Sequence, residues 1–340
     1  MGTDDQATTA RVSIRDLARA AGVSPTTVSH ALSGRRPVAP ETARRIRALV
    51  PDLGYQPWGG VNPATRTRSF MLALVVPDIT NHFFSDVALG VEAVADAEDY
   101  GVLVCAGQQD PHRERRYLSL LRSGAVDGLV YIPGTAAWDP ALQELCETHA
   151  IVIVDEPVPL VTSRPSVFAD NLLGGYLAAQ HLASLGHERV AVFTGPPGLS
   201  STEERVEGFR RVHPDALLLR GEYTEGAGRT LARVLARYHP DVTAVFAGND
   251  RMAFGALSVW EELGIVVPRD ISLIGFDDAD FASRITPALT TIRQQGALIG
   301  RTAASLLIDH LVRGDALGGD RIALEVDLIV RDSTAAPKSA

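Results

Sequence analysis

Between residues 69 and 332, short apolar runs rich in β-branched residues alternate with amphipathic helical stretches, and this alternation constrains the fold more than any other feature. Strand-like runs at Met71–Val76, Val102–Ala106, Gly128–Ile132 and Ile151–Val154 enclose helical periodicity near Phe84–Asp99, Arg113–Arg122 and Ala141–Thr148. A second series continues with helix Gly174–Leu185, strand Arg189–Thr194, helix Glu203–Val212, strand Ala216–Leu219 and helix Gly226–Arg237. It ends with strand Val242–Ala247, helix Asp250–Leu263 and strand Ile271–Gly275. Strands that alternate with helices bury both faces of their sheet, so two such series predict two lobes, each a doubly wound parallel sheet. Ligands of such sheets sit beyond the carboxyl ends of the strands, and the cleft between two lobes is the expected site. Apolar residues make up 46% of the chain and charged ones 21%, which supplies two cores and argues against wholesale disorder.

The first 70 residues break the pattern and carry the opposite charge. They hold ten arginines against five acids, a net of +5 in a chain whose total is −9, so the remainder carries −14. A small basic head on an acidic body points to a polyanion partner. Ser13-Ile14-Arg15-Asp16 reads as a capped helix start, and Gly22 suits the residue after its end. Ser24-Pro25 starts a second helix that reaches about Leu32, and Pro40-Glu41 starts a third that Pro51 should interrupt. Helix, short glycine-containing turn, helix is the helix-turn-helix pattern. Leu17, Ala18, Ala21, Val23, Val28 and Leu32 form its expected core, with Ile46, Leu49 and Val50 from the third helix. Pro25, Thr26, Thr27, Ser29 and His30 face outward on the second helix, where threonine and histidine can meet base edges.

Residues 12–34, together with Val38-Ala39-Pro40-Glu41-Thr42 and Leu53-Gly54-Tyr55-Gln56-Pro57, resemble the DNA-binding head of the LacI/GalR repressor family. The resemblance extends over the body through Val76-Pro77-Asp78-Ile79-Thr80-Asn81-His82-Phe83-Phe84, Leu185-Gly186-His187, Arg205-Val206-Glu207-Gly208-Phe209, Gly275-Phe276-Asp277-Asp278 and Val330-Arg331-Asp332-Ser333-Thr334. It implies a helix-turn-helix domain over 1–57, a hinge over 58–68 and an effector-binding and dimerisation domain over 69–335, built like the periplasmic sugar-binding proteins, before a short tail over 336–340. The expected N lobe is 69–165 plus 297–320, and the C lobe 166–296 plus 321–335. It further implies that the second helix enters the major groove, with Ser24, Pro25, Thr26, Thr27, Ser29, His30, Arg35 and Arg36 on DNA. Phe83, Phe84, Asp155, Ser201, Arg205, Asn249, Phe276 and Asp277 would line the ligand pocket. Four features depart from the family: Gly59, Gly60 and Pro63 oppose the hinge helix, Pro51 should interrupt the third helix, His82 stands where proline is usual, and Gln295-Gly296 replaces a frequent proline-containing or aromatic segment.

The function expected from these readings is a transcriptional regulator, a repressor first, that binds a near-palindromic double-stranded DNA operator as a homodimer or tetramer. A small polar effector, a sugar first, would modulate it. A nucleobase-responsive or corepressor-dependent regulator is the alternative, with a solute-binding protein behind it. No nucleophile elbow, phosphate loop or zinc motif occurs, so neither an enzyme nor a cofactor nor a metal is expected. Cys105 and Cys146 lie among apolar residues and read as buried structural thiols. The polar N-terminal segment and the lack of an 18-residue apolar run predict a cytoplasmic protein without a membrane span.

Overall fold

The computed structural model describes residues 14–33, 38–52, 68–108, 110–135, 140–158 and 161–338. The chain divides into a head that ends at Ser69 and a body that starts at Phe70, and each is described by itself.

The head holds three helices, α1 (Ile14–Ala21), α2 (Pro25–Ser33) and α3 (Pro40–Asp52). Gly22 follows α1 at φ +62°, a left-handed conformation that costs a residue with a Cβ more than it costs glycine. The amide of Thr27 donates to Ser24 Oγ at 3.1 Å, the expected cap of α2. Leu17, Ala18, Ala21, Val28 and Ile46 are buried as expected, Ala31 and Ala43 complete the core, and the expected Val23, Leu32, Leu49 and Val50 pack against it only partly buried. Pro51 does not stop α3 at residue 50. The helix runs on to Asp52, because a proline in the final turn breaks one hydrogen bond at an end that already frays.

The body begins with β1 (Met71–Val76), α4 (His82–Asp96), β2 (Gly101–Ala106), α5 (Pro111–Ser123), β3 (Gly128–Tyr131), α6 (Pro140–Thr148), β4 (Ile151–Val154) and β5 (Ser166–Ala169). It continues with α7 (Asn171–Ser184), β6 (Val190–Thr194), α8 (Ser200–Arg210), β7 (Leu217–Arg220), α9 (Glu225–Tyr238), β8 (Ala244–Ala247) and α10 (Asp250–Glu262). The last elements are β9 (Ser272–Asp277), β10 (Thr290–Arg293), α11 (Gly296–Arg313), β11 (Arg321–Leu324) and β12 (Asp327–Ile329). One sheet has the order β11-β5-β4-β3-β1-β2 and the other β12-β10-β9-β8-β6-β7. Every strand pair is parallel except β10 with β12, so the second sheet carries one antiparallel edge strand that the alternation pattern did not reveal.

The expected lobe limits shift at two places. β5 pairs with β4 and β11 pairs with β5, so residues 166–169 and 321–324 belong to the N lobe, not the C lobe. The cause is pairing between segments far apart in the chain: Asp155 N donates to Val167 O and Ser166 N to Asp320 O, which extends the first sheet by two strands. The chain therefore crosses between lobes after β5, after β10 and after β11.

Helices pair through glycine. Gly90 and Gly300 lie between α4 and α11, Gly175 and Gly208 between α7 and α8, and Gly228 and Gly255 between α9 and α10. A Cβ on any of the six would fall 2.0–2.1 Å from a backbone oxygen of the facing helix, so only glycine permits these axes to approach so closely. Cys105 and Cys146 are unpaired and buried with Leu121, Leu129 and Tyr131, and burial pushes the Cys146 thiol up to about 11, as a structural thiol requires. No helix among the described residues is long and apolar enough to cross a membrane.

Candidate functional site

In the head, Pro25 and Thr26 are exposed on the first turn of α2, while Thr27 and His30 are half-buried. The hydroxyls of Ser24 and Thr27 lie 2.8 Å apart, so Ser24 serves as a helix cap and holds Thr27. Arg47 on α3 donates to Ala31 O near the end of α2 at 3.3 Å, which fixes the angle between the two helices. The side chain of Ser29, both Arg35 and Arg36, and the expected hinge over 58–67 lie outside the described residues.

In the body, one cavity of about 90 Å³ lies between the lobes. Its N-lobe wall comes from the loops after β1, β3 and β4, and its C-lobe wall from those after β6, β7, β8 and β9. All seven are carboxyl ends of strands in parallel sheets, where the strands' shared direction brings loops together. Phe83, Phe84, Asp155, Ser201, Arg205, Asn249 and Asp277 line it together. Phe276 does not. It is fully buried behind the wall with its ring centroid 3.6 Å from the Arg205 guanidinium carbon, so it backs the arginine rather than facing the cavity.

Arg205 is the centre of the site. Its Nε donates to Asn171 Oδ1 at 2.8 Å and its Nη1 to Gly248 O at 2.6 Å. With two nitrogens held and one face stacked, the guanidinium has a fixed direction and offers Nη2 to a ligand. Asn249 caps α10 by accepting from Met252 N at 3.0 Å, so helix cap and pocket wall are the same residue. Asp155 (φ +67°) and Asp277 (φ +123°) have backbone conformations that side chains with a Cβ rarely take. Such strain at two strand ends facing one cavity is the mark of a site held by its surroundings.

The acids of the cleft are charged with difficulty. Burial raises the Asp155 carboxyl to about 6 against the opposing pull of Arg205. Asp277 rises to about 7 by burial, although Arg205 and the hydrogen bond from Gln294 Nε2 at 2.6 Å oppose it. Oδ1 of Asp155 is buried without a partner among the described residues. Unsatisfied acceptors beside a fixed donor fork suit a polar ligand with hydroxyl or N–H groups, and Phe83 and Phe84 supply the apolar face that a sugar or heterocyclic ring requires.

Of the ten lining residues that escaped the sequence analysis, Asp78, Glu156, Tyr223 and Arg251 carry ionisable side chains. Each lies within a few residues of a strand end, and that position was the only signal available. Asp78 pairs with Arg251 at 2.9 Å across the cleft, and His82 lies 3.3 Å from Asp280 on the same rim. Asp278, one residue from the site, is held by Arg293 at 2.7 Å and by Arg331, so the acids of the 277–280 run go to separate partners. His181 and His187 serve the C-terminal segment, bonding Thr334 Oγ1 and Ala335 O at 2.9 Å each.

Comparison with known proteins gives two family matches, "Bacterial regulatory proteins, lacI family" over residues 13–57 and "Periplasmic binding protein-like domain" over residues 179–334. The HTH-type transcriptional regulator DegA of Bacillus subtilis (strain 168) is 34% identical over 339 residues, covering 95% of this chain and 98% of DegA. A solved complex of the transcriptional regulator CelR with cellobiose superposes with a TM-score of 0.73 at 29% identity, covering 95% of this chain and all of that one. The lac repressor dimer, solved bound to operator and the anti-inducer ONPF, gives 0.70 at 26% identity, covering 96% of this chain and all of that one.

Proposed function

Because the chain belongs to the lacI family of bacterial regulatory proteins, we propose that it represses transcription by binding a near-palindromic operator, and that a small polar ligand in the inter-lobe cleft sets its operator affinity. It works in the cytoplasm, on chromosomal DNA. The observation that carries the ligand half of this reading is Arg205, stacked on Phe276 and fixed by two acceptors beside the unpaired Asp155 oxygen. A sugar is favoured, since ring hydroxyls can accept from the guanidinium and donate to Asp155 and Asp277 at once. The cellobiose bound by CelR supports the class. A thermal-shift screen of sugars, polyols and nucleobases tests it: a native-state ligand raises the melting temperature by mass action. Stabilisation by nucleobases and by no sugar would reject the sugar reading.

On the DNA side, Pro25 and Thr26 are the exposed residues of the α2 start and the candidates for base contact. Thr26→Ala should lower discrimination between operator and random DNA by about 1–3 kcal/mol while leaving non-specific binding in place. Equal loss on both DNAs in parallel titrations would remove Thr26 from base reading.

One head contacts few bases, so two act together through protein symmetry. An apolar groove lined by Phe254, Leu257, Val266 and Ile285 supports a homodimer, as does the lac repressor's dimeric form on operator. Phe254 is 37% exposed and Val266 42%, which is unfavourable in a free monomer. Phe254→Glu should shift sedimentation toward monomer and weaken operator binding at least tenfold, the loss expected when two heads no longer bind as one unit. An unchanged dimer would take this face out of the interface.

A further inference from the structure

Four helices of the C lobe start at the cleft side of their sheet, and three of them are capped by the residue immediately before them. Asp170 accepts from Leu173 N in α7, Thr224 from Ala227 N in α9 and Asn249 from Met252 N in α10. The fourth, α8, is preceded by Leu199, which has no acceptor on its side chain. The first amides of a helix need acceptors, and a buried start without them is costly. Here the acceptor comes from the other lobe. Glu156, after β4, accepts from Ser201 N with Oε2 at 3.1 Å, and its Oε1 is hydrogen-bonded to Ser201 Oγ. Ser200 Oγ donates to Pro157 O at 3.1 Å beside it.

We propose that Glu156 is a positioning residue of the cleft: an N-lobe carboxyl that caps a C-lobe helix, so that the first turn of α8 is capped only when the lobes are closed. The pairs Asp78–Arg251 and His82–Asp280, which also cross the cleft, sit on its more exposed rim where water and salt weaken them, whereas Glu156 is buried. The effect on ligand response rests on the effector reading above, but the cap itself does not.

The cap is also proton-linked. The groups facing Glu156 are Asp155 beside it, Arg205 on α8 and Tyr223 after β7, with Asp277 beyond Asp155. Burial, and next the Asp155 charge, raise the Glu156 carboxyl to about 8, against the hydrogen bonds from Ser201 and the pull of Arg205. Opened to water, the group returns toward 4.5, the ordinary glutamate value. Closure therefore takes up a proton between these two values and weakens as pH rises through that window, with the loss complete above 8. Asp155 and Asp277 act in the same direction but lower, so the interval from pH 7 to 8 reports Glu156. A protonated Glu156 accepts from Ser201 N and donates to Ser201 Oγ, and a glutamine amide can do both.

Hydrogen exchange of the full chain, without DNA or added ligand, tests this. Glu156→Ala should speed exchange of the Ser201 and Thr202 amides about tenfold or more at pH 7, the usual effect of a lost cap, while the starts of α9 and α10 keep their rates. Glu156→Gln should stay close to the wild type at pH 7. After correction for intrinsic exchange, the wild type should lose protection about fivefold between pH 7 and 8, the ratio for one group titrating near 8, and Glu156→Gln should not. Unchanged exchange in Glu156→Ala, or the same pH slope in the wild type and Glu156→Gln, would overturn the proposal. If Glu156→Ala fails to fold, the pH comparison of the other two still decides. Neither outcome bears on whether a ligand binds, which the thermal-shift screen settles separately.

Discussion

Arg205→Ala is expected to bind operator like the wild type and to lose its response to ligand. The substitution removes the stack on Phe276 and the bonds to Asn171 Oδ1 and Gly248 O, and leaves those buried acceptors without their donor. It also removes the cation that lowers the Asp155 carboxyl and, together with Arg251, the Asp277 carboxyl, so both rise further. A ligand then loses its fixed donor, and its acceptors lose charge. Truncating one partner of a buried charged set costs about 3 kcal/mol or more, which is at least a hundredfold in ligand affinity. The proposed DNA contacts lie in the head, a separate unit whose three helices have their own core, so operator affinity without ligand should stay within about threefold. Asp277→Ala should behave alike with a smaller loss, since Gln294 then loses its acceptor but Arg205 keeps its partners. Titration of labelled operator with each variant, with and without the effector, reads both quantities. Wild-type ligand affinity in both variants would mean that this cleft is not the regulatory site.

Gly175→Val is expected to cost more stability than any cleft substitution. A Cβ at 175 would fall 2.1 Å from the Arg205 carbonyl oxygen, and the facing Gly208 has the same relation to Leu172 O at 2.0 Å. Backbone cannot step aside as a flexible side chain can, so α7 and α8 must separate. Overpacking usually costs about 1–3 kcal/mol, and displacing two whole helices should exceed the top of that range. The same separation stretches the 2.8 Å bond from Arg205 to Asn171, so ligand affinity should fall as well. Gly186→Ala is the control: it too sits beside α7, at φ +89°, but its Cβ meets nothing within 4 Å. It should cost only the strain of its backbone, about 1 kcal/mol. Thermal unfolding of the three proteins checks the order, and a Gly175→Val melting point at or above that of Gly186→Ala would refute the close-approach argument.

The strands and helices of the body were legible because period and apolar runs are properties of adjacent residues. Met71–Val76 and Ile151–Val154 emerge with the expected limits, and the head's cap at Ser24 and turn at Gly22 follow from local chemistry alone. What escaped was set by pairing. Ser166–Ala169 and Arg321–Leu324 are short, and only their hydrogen bonds to a sheet assembled from distant segments make them strands of the N lobe. Six glycines that look like ordinary helix positions prove to be contact points, because their importance depends on a neighbour many residues away.

The cleft divides the same way. The chain by itself determined the β/α alternation, the basic head, and polar residues at the strand ends, since these depend on residue type and near neighbours. Seven of the eight pocket residues that the family resemblance implied line the cavity. Only the tertiary structure decided that Phe276 lies behind Arg205, that Asn249 is cap and wall together, and that Glu156 reaches across the lobes to Ser201. The physical reason is burial. The charge, direction and partner of a side chain are fixed by what excludes water around it, and here that enclosure is built by two lobes whose contacting loops are far apart in the chain.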